Sequence, residues 1–202
     1  MHDALEEAIA LCGGGVWCDR CGAGLPATAR GAQALVGARA EPSDGTSVVG
    51  CVACGDAGAF DGFVRLGRYE PPLNRLVRRT KRRAMHSMAR QIGVRLGVEL
   101  RSRLGEPQDG WVVVPMPAHL GRRLARGIHH AHEISSGLAA TVNATVVRAL
   151  RMRATARQAG LDREARLGRA PRLALRARAA RSLAGRSVVL VDDRSEEHTS
   201  EL

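Results

Sequence analysis

The chain has 202 residues, 45% of them apolar, and a formal net charge of +11. It contains no run of about 18–20 apolar residues, the length a membrane helix needs, and its acidic start, Met1-His2-Asp3-Ala4-Leu5-Glu6-Glu7, has the wrong sign for a secretory leader. The sequence therefore reads as cytoplasmic, without membrane insertion and with thiols kept reduced. Its length suits one ordinary domain, or a small module joined to an incomplete larger one.

The basic charge first suggests a nucleic-acid surface. Yet of 31 basic residues Lys81 is the only lysine, and Ala and Gly abound, a bias that fits a GC-rich coding sequence. Most of the charge is read as solvated. With two Trp, one Tyr and two Phe, the core must be filled by Val, Leu, Ile and Ala, and side chains for base stacking are scarce.

In chain order, a short N-terminal helix ends near Cys12, which reads as an ordinary thiol. Cys18-Asp-Arg-Cys21 and Cys51-Val-Ala-Cys54 are two CxxC knuckles. Each aims two thiolates at one point, and together they can complete a closed tetrahedral zinc site. Disulfides are disfavoured in the cytoplasm, and redox CxxC chemistry wants a surrounding βαβ pattern that is missing. The expected role is structural zinc held by Cys18, Cys21, Cys51 and Cys54. The Ala/Gly-rich stretch 31–47 reads as an excursion between two short hairpins.

Tyr69-Glu70-Pro71-Pro72 interrupts the chain. From Leu73 to Leu104 the spacing is helical: Leu73, Leu76 and Val77, then Met85, Met88, Ile92, Leu96, Leu100 and Leu104. Arg78-Arg79-Thr80-Lys81-Arg82-Arg83 interrupts that stripe, so two helices or one broken helix are expected, ending before Gly105-Glu106-Pro107. Trp111-Val112-Val113-Val114-Pro115 reads as a buried strand. A helix is expected over about 126–142, a strand over 145–150, a long arginine-rich connection over 151–172, and a strand over 187–191. This order makes a parallel α/β sheet.

Three segments would meet at the carboxyl edge of that sheet. The loop after Val114 carries Arg122, Arg123 and Arg126, cations suited to pyrophosphate. Asp192 and Asp193, at the end of the last strand, can accept hydrogen bonds from ribose hydroxyls and hold Mg²⁺. The 151–172 connection, bearing Gln158 and Arg166, is long enough for a lid. Each feature has a plainer reading: arginines solvated in an arginine-rich chain, and a strand-terminal Asp pair serving as a helix cap. His129, His130 and His132 do not share the i,i+4 spacing of a helical metal site.

The two CxxC knuckles, Tyr69, the helix with Lys81, Val113-Val114-Pro115-Met116-Pro117, residues 122–127, Gln158, Arg166 and residues 188–193 occur in an order that resembles the ComF family of phosphoribosyltransferase-like proteins. The resemblance spans about residues 15–193. It implies an N-terminal helix and a four-cysteine zinc module over 1–64, zinc-ribbon-like, and a type I phosphoribosyltransferase-like domain over 65–193. Asp192 and Asp193 would then hold the ribose of phosphoribosyl pyrophosphate or a related sugar phosphate, with Mg²⁺. Arg122, Arg123 and Arg126 would neutralise pyrophosphate, with Gln158 and Arg166 in the lid. Members of the family have been linked to DNA uptake, so competence machinery is an implied partner. No acceptor substrate or catalytic base is readable.

Three positions depart from the family pattern. His129-His130 stand where Asn-Gln is common, and Arg169 where Asn is common. After Asp193 the Thr/Gly-rich loop that should cradle a 5′-phosphate is replaced by Arg194-Ser-Glu-Glu-His-Thr-Ser-Glu-Leu202. Residues 194–202 are read as an artefactual tail, and the transferase-like domain as incomplete, with an exposed sheet edge at 188–191. A second functional reading is a single-stranded nucleic-acid-binding accessory protein, in which the fold is only a scaffold.

Overall fold

A computed structural model describes residues 2–13, 16–18, 24–25, 61–118, 128–152 and 173–192. Helix α1 (His2–Cys12) places Leu5, Ala8 and Cys12 on one buried stripe, the spacing of a single helical face. It is followed by the antiparallel pair β1 (Val16–Trp17) and β2 (Gly24–Leu25).

The helical pattern after Pro72 resolves into two helices, as the interrupted stripe anticipates. Helix α2 (Leu73–Arg79) buries Leu73, Leu76 and Val77. A 3-10 turn over Arg83–Met85 then leads into α3 (His86–Leu104), which buries Met88, Ala89, Ile92, Gly93, Gly97 and Leu100. Gly105 stops α3 with a φ of 68°, a conformation that favours glycine.

Strand β3 (Trp111–Pro115) forms where expected. It is the middle strand of a three-stranded parallel sheet, between β4 (Thr145–Val146) and β7 (Ser187–Val191). The architecture is α/β. On one face Val113 and Val191 join a core with α1, α2, α3 and the helix α4 (His130–Thr141). On the other face Val112 and Val114 pack with Ala149 and Ala179, flanked by Leu183.

Helices α3 and α4 cross with almost no side-chain layer between them. A methyl group added at Gly93 would fall on the Ile134 carbonyl, and one at Gly137 on the Arg90 carbonyl. At Gly97 it would lie 2.7 Å from Thr141 Cβ. Small residues are therefore required for this approach.

Three expectations are corrected. The helix placed at about 126–142 begins at His130, because His129 caps it: the His129 ring accepts from the His132 backbone N–H at 3.1 Å. The strand placed at 145–150 divides in two. After Val147 donates to Val113 O, a tight turn from Ala149 N–H to Val147 O lifts the chain off the sheet. The continuation, β5 (Leu150–Met152), pairs antiparallel with β6 (Leu173–Leu175), so the connection expected to begin at Arg151 springs from a two-stranded ribbon. A short helix, α5 (Ala177–Leu183), follows; it buries only Ala179 and so leaves no periodic stripe to read.

Among the described residues no helix is long and apolar enough to cross a membrane.

Candidate functional site

The described part of the site is the carboxyl edge of the parallel sheet. Strands β3 and β7 run in the same direction with Pro115 level with Val191, and the Met116 N–H donates to Val191 O at 2.9 Å. This pairing fixes the loop leaving β3 beside Asp192, which is exposed at the end of β7. Open α/β sheets bind ligands outside the carboxyl ends of their strands, so both expected strand ends stand where such a site forms.

The N-terminus of α4 closes the same corner. A neutral imidazole has one acceptor nitrogen, and His129 Nδ1 spends it on the His132 N–H. Nε2 faces the Ala118 N–H at 3.5 Å, and since a neutral ring has one acceptor nitrogen it satisfies only one of these two N–H groups at a time, the shorter being the cap. His129 thus links residues 116–118 to the start of α4. Behind it, His130 is buried and meets the Thr80 hydroxyl through Nε2. Thr80 Oγ1 donates to Val77 O at 2.7 Å, so it accepts from a protonated His130 Nε2. The end of α2 is tied in this way to the first turn of α4.

The imidazole of His132 is held below its ordinary value of 6.5, chiefly because burial penalises its charged form. Arg148 and Arg90 push it in the same direction, while Glu133 opposes them. The rings of His129 and His132 meet edge to face with centroids 6.0 Å apart. Linear spacing did not suggest this contact, since a capping residue sits off the regular helical path.

Of the site residues expected from sequence, Asp192 and Cys18 are described. Asp193, Arg122, Arg123, Arg126, Gln158, Arg166, Cys21, Cys51 and Cys54 lie outside the described residues, as does the 31–47 stretch. Cys18 is buried, 2% exposed, and directly follows β1. The β1 strand that precedes Cys18 pairs antiparallel with β2. Among the described residues no group of three or more His, Cys, Asp or Glu side chains is placed to hold a metal ion.

Sequence reasoning missed the His129 cap and the Thr80–His130 contact. The signal for the first was available in the acceptor side chain just ahead of an apolar-periodic segment. The second joins residues fifty positions apart and has no local signature. Compared with protein-family models, curated proteins and solved structures, the chain matches none of them.

Proposed function

We propose that this chain is a phosphoribosyltransferase-like protein of the ComF type, with its ligand site at the carboxyl edge of the sheet. The observation that carries the reading is the Met116–Val191 bond, which sets Asp192 beside the loop leaving β3. Asp192 and Asp193 would accept hydrogen bonds from the ribose hydroxyls of phosphoribosyl pyrophosphate. Arg122, Arg123 and Arg126, on the segment between β3 and α4, would neutralise the pyrophosphate, and Gln158 and Arg166 would act from the lid. Mg²⁺, where bound, supplies charge neutralisation between the aspartates and the phosphates. Zinc on Cys18, Cys21, Cys51 and Cys54 supplies a structural cross-link, thiolates being fitting donors for it.

The reading requires a Thr/Gly-rich loop after Asp193, and residues 194–202 contain no glycine. The test is calorimetric titration of phosphoribosyl pyrophosphate with Mg²⁺ into the protein extended by the codons that follow Asp193 at its source locus. Binding is expected there and is lost in Asp192→Asn with the fold intact. No binding, or binding indifferent to Asp192→Asn, overturns the reading. Micromolar binding by the 202-residue chain would show that the glycine-rich loop is dispensable.

One observation favours the second reading, a single-stranded nucleic-acid-binding protein. On α3, Arg95 and Arg103 pair with Glu99, and Arg101 pairs with Glu106. On α2 and the turn after it, Arg75, Arg78, Arg79 and Arg82 are exposed and, among the described residues, have no carboxylate partner. Unpaired guanidinium groups in a row suit phosphates. Affinity for single-stranded DNA that collapses with salt and survives Asp192→Asn would favour this reading over the first.

A further inference from the structure

Arg75, Arg78, Arg79 and Arg82 follow the i, i+3, i+4, i+7 spacing of a single helical stripe, and all four are exposed. The opposite stripe of α2, Leu73, Leu76 and Val77, is buried, so packing holds the arginine face outward. Beyond Arg79 the Thr80 N–H still donates to Leu76 O and the Arg82 N–H to Arg79 O, which carries the winding on to Arg82. From Arg75 to Arg82 the helical rise gives the row a length of about 10 Å.

Arginine-rich composition does not explain a row without acids. On α3 of the same chain Arg90 pairs with Glu133, Arg95 with Glu6, Arg101 with Glu106 and Arg103 with Glu99. Glu70 is the one acidic residue between Asp61 and Glu99 in the sequence, and among the described residues no ion pair joins a carboxylate to the row. A helix C-terminus draws cations to its last turn, which accounts for Arg78 and Arg79 but not for Arg75, a turn earlier.

Two features select the form of polyanion. Among the described side chains Tyr69 and Trp111 pack against the core and Phe63 is half-buried, so none stands exposed to stack on a base. The row is also rigid, being fixed to a packed helix. A duplex offers it a stiff array of phosphates at one charge per about 1.7 Å, and 10 Å spans about three base-pair steps.

We propose that the outer face of α2 docks on the phosphate backbone of a nucleic-acid duplex without reading its bases. The inference rests on the nucleic-acid reading and gives it a surface and a form of partner. It needs neither Asp192 nor the carboxyl edge of the sheet.

The test is fluorescence anisotropy of the 202-residue chain with a labelled DNA duplex of about 20 base pairs, and with one of its strands alone, from about 50 to about 200 mM salt. The duplex is expected to bind more tightly than the strand, and release of counterions from four phosphates weakens it about a hundredfold over that range. Arg75→Gln, Arg78→Gln, Arg79→Gln and Arg82→Gln, all at exposed positions that leave the thermal melt unchanged, each lower the slope of log K against log salt by about 0.9. Arg178→Gln and Arg181→Gln on α5, exposed and likewise without a carboxylate partner among the described residues, control for net charge and leave the slope unchanged. A strand bound as tightly as the duplex through the same arginines overturns the proposal and leaves the single-strand reading standing. No salt-dependent binding of either form overturns both. Equal losses in the α2 and α5 variants overturn the assignment to α2. Loss in Asp192→Asn, with the α2 variants binding as wild type, moves the contact to the carboxyl edge and overturns it as well.

Discussion

Gly93 and Gly137 occupy reciprocal positions in the crossing of α3 and α4. A methyl on either would meet the backbone of the opposite helix, at Ile134 and Leu138 from Gly93 and at Arg90 and Val94 from Gly137. Backbone cannot step aside as a flexible side chain can. Gly93→Ala is therefore expected to cost about 2–4 kcal/mol, at or above the usual range for overpacking. Gly105→Ala, where nothing lies within 4 Å of the added carbon but φ 68° with ψ −157° is a backbone region kept almost entirely by glycine, should cost about 1–3 kcal/mol through strain alone. Urea unfolding of the two variants checks the order. A loss at Gly93 below about 1 kcal/mol would show that the helices separate readily.

Thr80 and His130 join the end of α2 to the beginning of α4 inside the core. Thr80→Val keeps the shape but removes the hydroxyl that bonds to Val77 O and to His130 Nε2. Leaving the buried imidazole without that acceptor should cost about 1–3 kcal/mol. The same variant should shift the His130 ring signals in NMR spectra, whereas Thr80→Ser should retain them.

His132 should make stability depend on pH. Its folded-state pKa lies below the ordinary 6.5, mainly through burial. The folded protein therefore binds fewer protons than the unfolded chain once pH falls below that value. The stability contribution is full above 6.5, declines as pH falls from there, and levels off once pH is below the lowered folded value. Thermal melts from about pH 8 to about pH 5 should show this decline, and His132→Gln should reduce it. An unchanged slope in the variant would assign the effect to other groups.

Zinc content tests the cysteine assignment without any activity assay. The protein purified without chelator should carry about one zinc per chain, and Cys18→Ser or Cys51→Ser should lose it. Chelation of the wild-type chain should lower its melting temperature, since a module with little core of its own takes much of its folding free energy from the metal. A metal-free protein with an unchanged melt would exclude the structural role.

The parts legible in the sequence were those whose signal is local. Val112, Val113 and Val114 announced β3, because a buried parallel strand must be apolar on both faces, and the β-branched run Ser187–Val191 announced β7, although its Val188 and Leu190 face is exposed. The stripe through Met88, Ile92 and Leu100 announced α3, and the arginines after Val77 marked its separation from α2. The order of the motifs sufficed to place Asp192 at a strand end. Tertiary structure decided the rest. The chain leaves the sheet after Val147 because Ala149 is buried against the far face of β3, a partner that residues 145–150 do not encode. Helix α4 starts at His130 because a ring nitrogen of His129 competes for the backbone. The α3–α4 crossing exists because glycines on two distant segments meet, and hydrophobic periodicity carries no record of residues whose contribution is the absence of a side chain.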